Sequence, residues 1–165
     1  MIGNYRRITL DRLTKLQHES ESIASFLFSH NDPECFPEKY LDIDKSWHGI
    51  HFLLNGDKYD GKLPLVNAVL GGSPLDDPDR PQLDYGVRYL MPDEVREVAK
   101  ALSQLSESEL RSRFNPSLLS AAKIYPNVWE RGAEELDYLM FHYARLVKFF
   151  QDAAKNGEAM LIYLT

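Results

Sequence analysis

The stretch from Pro126 to Asn156, PNVWERGAEELDYLMFHYARLVKFFQDAAKN, predicts one long helix. Its apolar side chains alternate at spacings of four and three residues, and a second apolar row widens the face that they form. The first row is Trp129, Ala133, Leu136, Met140, Tyr143, Val147, Phe150 and Ala154, and the second is Leu139, Leu146 and Ala153. A face this wide is typical of a helix buried along one side of a globular core, because a two-stranded coiled coil has a narrower one. We therefore expect this helix to be the centre of the core.

The segments around this helix predict a small sheet. Gly157 can end the helix, and the apolar run at residues 159–164 is typical of a strand that is covered on both faces. Residues 4–8 and 87–90 predict two more short strands. The expected fold is α+β: a helix-rich single domain over residues 1–165, with a sheet of about three strands and a long C-terminal core helix.

Charge and hydropathy exclude several classes of partner. The 165 residues include 19 Lys and Arg against 25 Asp and Glu, a net charge of −6, and the arginines are scattered rather than gathered in a basic stripe. We expect no nucleic-acid partner, because phosphate binding requires such a stripe. The longest apolar run, at residues 159–164, is far shorter than the roughly 20 residues that cross a bilayer, so no membrane span is expected.

The cysteine count and the N-terminal residues bear on the cellular compartment. Cys35 is the single cysteine, so no internal disulfide can form. No apolar run follows the early charges at Arg6 and Arg7, as it would in a signal peptide. Both observations predict a cytoplasmic protein.

A polar stripe is predicted on a short helix that begins near Asp44. On the core side of this helix, Trp47, Ile50 and Leu54 repeat at helical spacing. On the other side, successive residues turn by about 100°, which places one set of polar residues within an arc of about 60°. This set is Asp44, His48, His51 and Asn55.

Two interpretations of the stripe are open. Two imidazoles at i, i+3, one turn after a carboxylate, could hold a transition metal or form a carboxylate-oriented base. If a metal binds, its ligands would be Asp44, His48 and His51. However, a full metal site needs a further ligand that the chain does not supply, so we expect no metal and no cofactor. The other interpretation is structural: the stripe caps and packs the helix, with its histidines hydrogen-bonded near the surface.

Other candidate binding residues lie outside the stripe. Arg88 and Tyr89 on a short strand, and Tyr125 with Trp129, could line a cleft together with the histidines. Trp47, next to His48, is a further candidate binding residue. The Gly- and Pro-rich residues 71–85 form either a binding loop or a flexible insertion, because long structureless segments are uncommon in compact domains.

Several segments carry a resemblance to a known family. They are DIDKSWHGIHFLLNG at residues 42–56, LGGS at 70–73, YGVRYL at 85–90 followed by PDEV at 92–95, and IYP at 124–126 with Trp129. In this order they resemble the YfbM-like family of small bacterial proteins, which is a domain of unknown function. The resemblance implies a bacterial protein with one α+β domain, and it brings no established activity, substrate or catalytic residues.

Two functional hypotheses follow. The first is a non-catalytic binding or interaction module for a protein or small-molecule partner, since no complete catalytic set is present and aromatic residues make up 12% of the chain. An immunity-type role, in which the protein neutralises a partner, is one form of it. The alternative is a hydrolase-like or metal-dependent enzyme that uses Asp44, His48 and His51.

Overall fold

A five-stranded antiparallel sheet forms the middle layer of the structure. The computed structural model describes residues 1–18, 23–29, 36–76, 81–83 and 85–165. The strands are β1 (Gly3–Ile8), β2 (Tyr40–Asp42), β3 (Ser73–Pro74), β4 (Val87–Leu90) and β5 (Ala159–Leu164). The helices are α1 (Leu10–His18), α2 (Ile23–Phe28), α3 (Trp47–Asn55), α4 (Pro92–Gln104), α5 (Glu107–Ser112), α6 (Pro116–Ala121) and α7 (Ala133–Asn156). The predicted α+β class with a long C-terminal core helix is confirmed.

The last strand lies in the centre of the sheet. The strand order is β2-β1-β5-β4-β3, so β5 pairs with β1 on one side and with β4 on the other. The predicted strand at residues 159–164 is therefore confirmed, as is the one at 87–90. The expected three strands are two too few. The two additional edge strands are only three and two residues long, which is too short for an alternating pattern to show.

Helices cover both faces of the sheet. The larger core contains side chains of α3, α4 and α7 packed against Tyr5, Leu90, Met160 and Ile162 of the strands. The smaller core contains side chains of α1 and α2 packed against other strand residues: Ile8, Val87, Ala159, Leu161 and Tyr163. Consecutive residues of a strand point to opposite faces, so neighbours in β5 belong to different cores.

The long helix begins later than its apolar spacing predicts. It starts at Ala133, and Trp129–Arg131 form a separate 3-10 turn before it. Asn127 and Gly132 have positive φ angles of 63° and 76°, so a right-handed helix cannot run through them. The prediction that the helix starts at Pro126 is therefore wrong.

The buried face of α7 is rotated relative to the predicted one. Leu139, Leu146 and Ala153, which were expected to flank the face, are completely buried. Leu136 is only partly buried and Ala133 is exposed. Two adjacent apolar rows on a helix define the width of its buried face, but the neighbouring helices decide which row is central.

Two sequence predictions concern residues that lie wholly or partly outside this description. Cys35 is not among the described residues, and neither are residues 77–80 and 84 of the segment 71–85. The described part of that segment includes β3, which pairs with β4. Within the described ranges, no helix combines the length and the apolar character that crossing a bilayer requires.

Candidate functional site

A cavity of about 280 Å³ lies where α3, the segment after it and the end of the sheet meet. Its wall is largely apolar and aromatic, and it contains one guanidinium. The lining residues are Met1, Trp47, Tyr59, Val69, Leu70, Tyr85, Gly86, Arg88, Ile162, Tyr163 and Leu164. Two of the residues expected at a binding site, Trp47 and Arg88, therefore meet here.

Trp47 is the first residue of α3 and is only 3% exposed. Its indole ring stacks on the His48 imidazole, with ring centroids 4.6 Å apart, and on the Tyr125 ring at 6.0 Å. The indole Nε1 is buried and has no hydrogen-bond acceptor among the described residues. A buried N–H group without an acceptor is uncommon in folded proteins and calls for an explanation.

His48 uses both of its ring nitrogens within the fold. Nδ1 accepts a hydrogen bond from the Tyr125 backbone N–H at 3.0 Å, and Nε2 is 2.9 Å from the Lys58 carbonyl oxygen. Because a carbonyl only accepts, the proton must lie on Nε2, and the ring is neutral. Burial of the ring lowers the pKa of His48 to about 4.

His51 and Asn55 hold the same loop from the next turns of α3. His51 Nε2–H donates to the Asp60 carbonyl at 3.2 Å, and its Nδ1 accepts from the Asn55 amide at 3.3 Å. Burial lowers the pKa of His51 as well. The Asn55 side chain also packs directly on Gly61, where any added Cβ would overlap it.

The three residues of the stripe therefore fasten residues 57–61 to α3. The Asp57 carboxylate closes the same loop by accepting from the backbone N–H groups of Tyr59 and Asp60, each at 2.9 Å. The fastened loop places the Tyr59 ring 5.4 Å from the His48 ring. His48, His51 and Asn55 thus act on the cavity by positioning Tyr59.

Asp44 does not belong to this stripe. It has a φ of 49° and lies in a 3-10 turn, Asp44–Ser46, so α3 begins only at Trp47. Its carboxylate accepts a hydrogen bond from the Tyr138 hydroxyl of α7 at 3.1 Å. The expectation that Asp44 continues the helical stripe is wrong, because a left-handed residue and a tighter turn precede the helix. Within the described ranges, no three His, Cys, Asp or Glu side chains are arranged to hold a metal ion.

The two candidate binding residues of β4 lie on opposite faces of the sheet. Arg88 is exposed and lines the cavity, and its Nε donates to the Gly71 carbonyl at 3.2 Å. Tyr89, the next residue of β4, is half-buried and packs against the smaller core on the other face. Adjacent strand residues point to opposite faces, so these two side chains cannot share one site.

Two aromatic residues of the wall were not predicted. Tyr59 follows the turn at Asn55 and Gly56, and Tyr85 ends the Gly- and Pro-rich segment. Both are more than half exposed, at 61% and 57%. The sequence offered one signal for them. A tyrosine that stands among turn residues is expected at the surface, where it contributes little to a core.

A second cavity, of about 400 Å³, shares Tyr85, Gly86 and Arg88 with the first. Asp76 lines this neighbouring cavity. Its two carboxylate oxygens accept from the backbone N–H groups of Val87 at 3.0 Å and Gln82 at 2.8 Å. Asp76 therefore closes the turn before β4, and its carboxylate is already occupied by backbone donors.

The buried state of His48 predicts a loss of stability in mild acid. Its folded pKa of about 4 lies below the ordinary value of 6.5, so the unfolded chain takes up the proton first. The contribution of the neutral His48 ring to the free energy of unfolding is fully present above pH 6.5. About 2–3 kcal/mol of it is lost as the pH falls toward 4. Urea unfolding across this range should show that His48→Gln flattens the dependence. The exposed His18→Gln is the control, and an unaltered slope in His48→Gln would contradict the buried neutral ring.

Comparisons with known proteins agree with one another on the family. The model of the family described as "Domain of unknown function (DUF1877)" matches residues 1–163. Protein YfbM of Escherichia coli (strain K12) is 30% identical over 169 residues, covering 98% of this chain and 96% of that protein. The crystal structure of YfbM from Escherichia coli, titled as a protein of unknown function, superposes with a TM-score of 0.74 at 27% identity and covers 98% of each chain. The resemblance seen in the sequence is confirmed, and the chain belongs to the DUF1877 family.

Proposed function

We propose that this chain is a non-catalytic binding protein and that the cavity between Trp47, Tyr59 and Arg88 is its recognition site. The observation that carries the proposal is the convergence of aromatic rings and one guanidinium on a mostly apolar cavity. Ligand sites in proteins have this character: apolar and aromatic walls bury the ligand, and a few polar groups orient it.

The geometry supports binding better than the hydrolase-like or metal-dependent reaction of the alternative hypothesis. A general base or metal ligand needs a ring nitrogen that is free to accept a proton or a metal. Both ring nitrogens of His48 and of His51 are hydrogen-bonded within the fold. Asp44 is bonded to Tyr138.

The size of the cavity favours a small molecule as the partner. Typical sites for drug-sized ligands measure about 300–1,000 Å³, and this cavity lies just below that range at about 280 Å³. It suits a ligand of about one ring. An immunity-type protein partner and a cytoplasmic location stay predictions from the sequence.

Binding can be followed on the two indole N–H signals of the protein by nuclear magnetic resonance. We expect 2-phenylethanol or phenylacetate, at millimolar concentration, to shift the Trp47 signal. The Trp129 signal is an internal reference, because this side chain is fully buried and its N–H donates to the Ile124 carbonyl at 2.7 Å.

A matched pair of variants places the binding in the cavity. Tyr59→Ala should raise the dissociation constant about tenfold, as the loss of an aromatic contact does at a binding centre. Phe141→Ala is the control, since Phe141 is an equally exposed aromatic residue on α7 at 62% and does not line the cavity. If neither probe moves the Trp47 signal, or if both variants weaken binding equally, the proposed site is wrong.

A further inference from the structure

We propose that the cavity selects an organic anion, namely a small carboxylate whose charged group pairs with Arg88 and whose apolar body lies against Trp47 and Leu70. This inference rests on the proposed function and names the chemical class of its ligand.

Arg88 is the first reason. Its only hydrogen bond among the described residues runs from Nε to the Gly71 carbonyl at 3.2 Å, so its two terminal amino groups have no partner there. Other arginines are neutralised by carboxylates: Arg7, Arg96, Arg111 and Arg131. The bond to Gly71 also orients the guanidinium plane. A fixed guanidinium with free terminal donors is suited to bidentate binding of a carboxylate.

The polarity of the wall is the second reason. Arginine and the indole N–H are donors only, so a polar ligand group that meets either of them must be an acceptor. The Trp47 Nε1 atom is covered by protein atoms, so the donors that a ligand meets in the cavity are those of Arg88. A carboxylate, whose two oxygens only accept, matches the terminal donors of Arg88, whereas an ammonium group, which only donates, does not.

The local charge is the third reason. The chain as a whole is acidic, at −6, yet the residues that line the cavity include Arg88 and neither Asp nor Glu. The Lys58 ammonium lies 5.1 Å from the centroid of the Tyr59 ring, but Asp57 and Asp60 of the same loop offset its charge, so Arg88 is the cation that attracts an anion to the cavity.

The apolar lining determines the rest of the ligand. Leu70, Ile162 and Leu164 offer aliphatic surface next to the indole of Trp47. A fully polar anion such as inorganic phosphate would leave this surface without a partner. Aromatic walls also bind quaternary ammonium groups, but a guanidinium within the same wall repels a cation. The combination favours an acid with an apolar body of about one ring.

Three probes of similar size separate these possibilities: phenylacetate, 2-phenylethanol and benzyltrimethylammonium. Their dissociation constants can be measured by calorimetry and on the Trp47 indole signal at low ionic strength. We expect phenylacetate to bind about tenfold more tightly than the alcohol, as one charge-assisted pair requires, and the ammonium compound to bind most weakly. Added salt should reduce this difference, because an exposed guanidinium is screened.

Substitutions at Arg88 assign the preference to this side chain. Arg88→Gln should reduce the affinity for phenylacetate to about that for the alcohol, whereas Arg88→Lys should keep part of the preference. Arg96→Gln is the control, because Arg96 is an exposed arginine of α4 that pairs with Asp93 and does not line the cavity. Since Arg88 is exposed, all of these variants should unfold at the parent's urea midpoint.

The outcomes distinguish the two proposals. Equal binding of phenylacetate and the alcohol, or an unchanged preference in Arg88→Gln, overturns the anion inference and leaves the binding site standing. Tightest binding of benzyltrimethylammonium identifies an aromatic cage for cations and also overturns it. If none of the probes binds, the proposed function itself is wrong.

Discussion

Replacement of Glu158 by alanine is expected to lower the free energy of unfolding by about 3–5 kcal/mol. Its carboxylate lies between two cations, 2.7 Å from Arg7 Nε and 2.7 Å from Lys39 Nζ. The Glu158 side chain is only 7% exposed and that of Arg7 only 8%. Removal of the carboxylate leaves the buried Arg7 guanidinium with only the Asp152 carboxylate, 4.0 Å away, as a charge partner. A poorly paired buried charge costs more than the loss of a surface pair.

Urea denaturation followed by circular dichroism measures this loss. Asp11→Ala is the matched control, because it breaks an exposed pair with Lys15 in α1 and should cost about 1 kcal/mol or less. Lys39→Ala should fall between the two, since it leaves the Arg7–Glu158 pair intact and removes a cation that is more exposed, at 22%. If Glu158→Ala is as mild as Asp11→Ala, the pair does not exist in solution as the structure has it.

Contacts of this kind lie beyond what the sequence could predict. Arg7 and Glu158 are 151 positions apart, and the antiparallel pairing of β1 with β5 brings them together. Local patterns predict the strands themselves: β5 has the predicted bounds and β1 begins one residue early. They do not predict which strands pair, so neither the buried ion pair nor the central position of β5 could be read from spacing.

In the candidate site, too, local spacing was predictable and long-range contacts were not. Helical spacing correctly places His48, His51 and Asn55 on one side of α3. It does not reveal that the three side chains hold the following loop. The convergence of Trp47 with Arg88 depends on how α3 packs beside the sheet, and Tyr59 comes to the same cavity only because that loop is fastened to the helix. Asp44 was misplaced because one left-handed residue changes the direction of the chain, and asparagine and aspartate adopt that conformation more readily than most residues.

Trp129→Ala is expected to cost about 3–5 kcal/mol, by loss of a large buried side chain and creation of a cavity. Trp129 lies in the 3-10 turn before α7 and is completely buried. Its Nε1–H donates to the Ile124 carbonyl at 2.7 Å. Its ring fills the space next to Gly49 of α3, where an added Cβ would lie 2.7 Å from Trp129 Cη2 and 2.8 Å from Leu139 Cδ2. The indole therefore packs the turn before α7 against α3, beside the direct contact of Leu139 with the same glycine.

A double-mutant cycle tests that contact specifically. In the parent protein, Gly49→Ala should destabilise by about 1–3 kcal/mol through overpacking, partly offset by the roughly 1 kcal/mol by which alanine favours a helix interior. In the Trp129→Phe background the smaller ring no longer reaches the added methyl group, so the same substitution should cost less or even stabilise. Because Leu139 also contacts that position, some cost can remain. Equal costs of Gly49→Ala in both backgrounds would show that Trp129 does not pack against α3, and would move the centre of the larger core away from this turn.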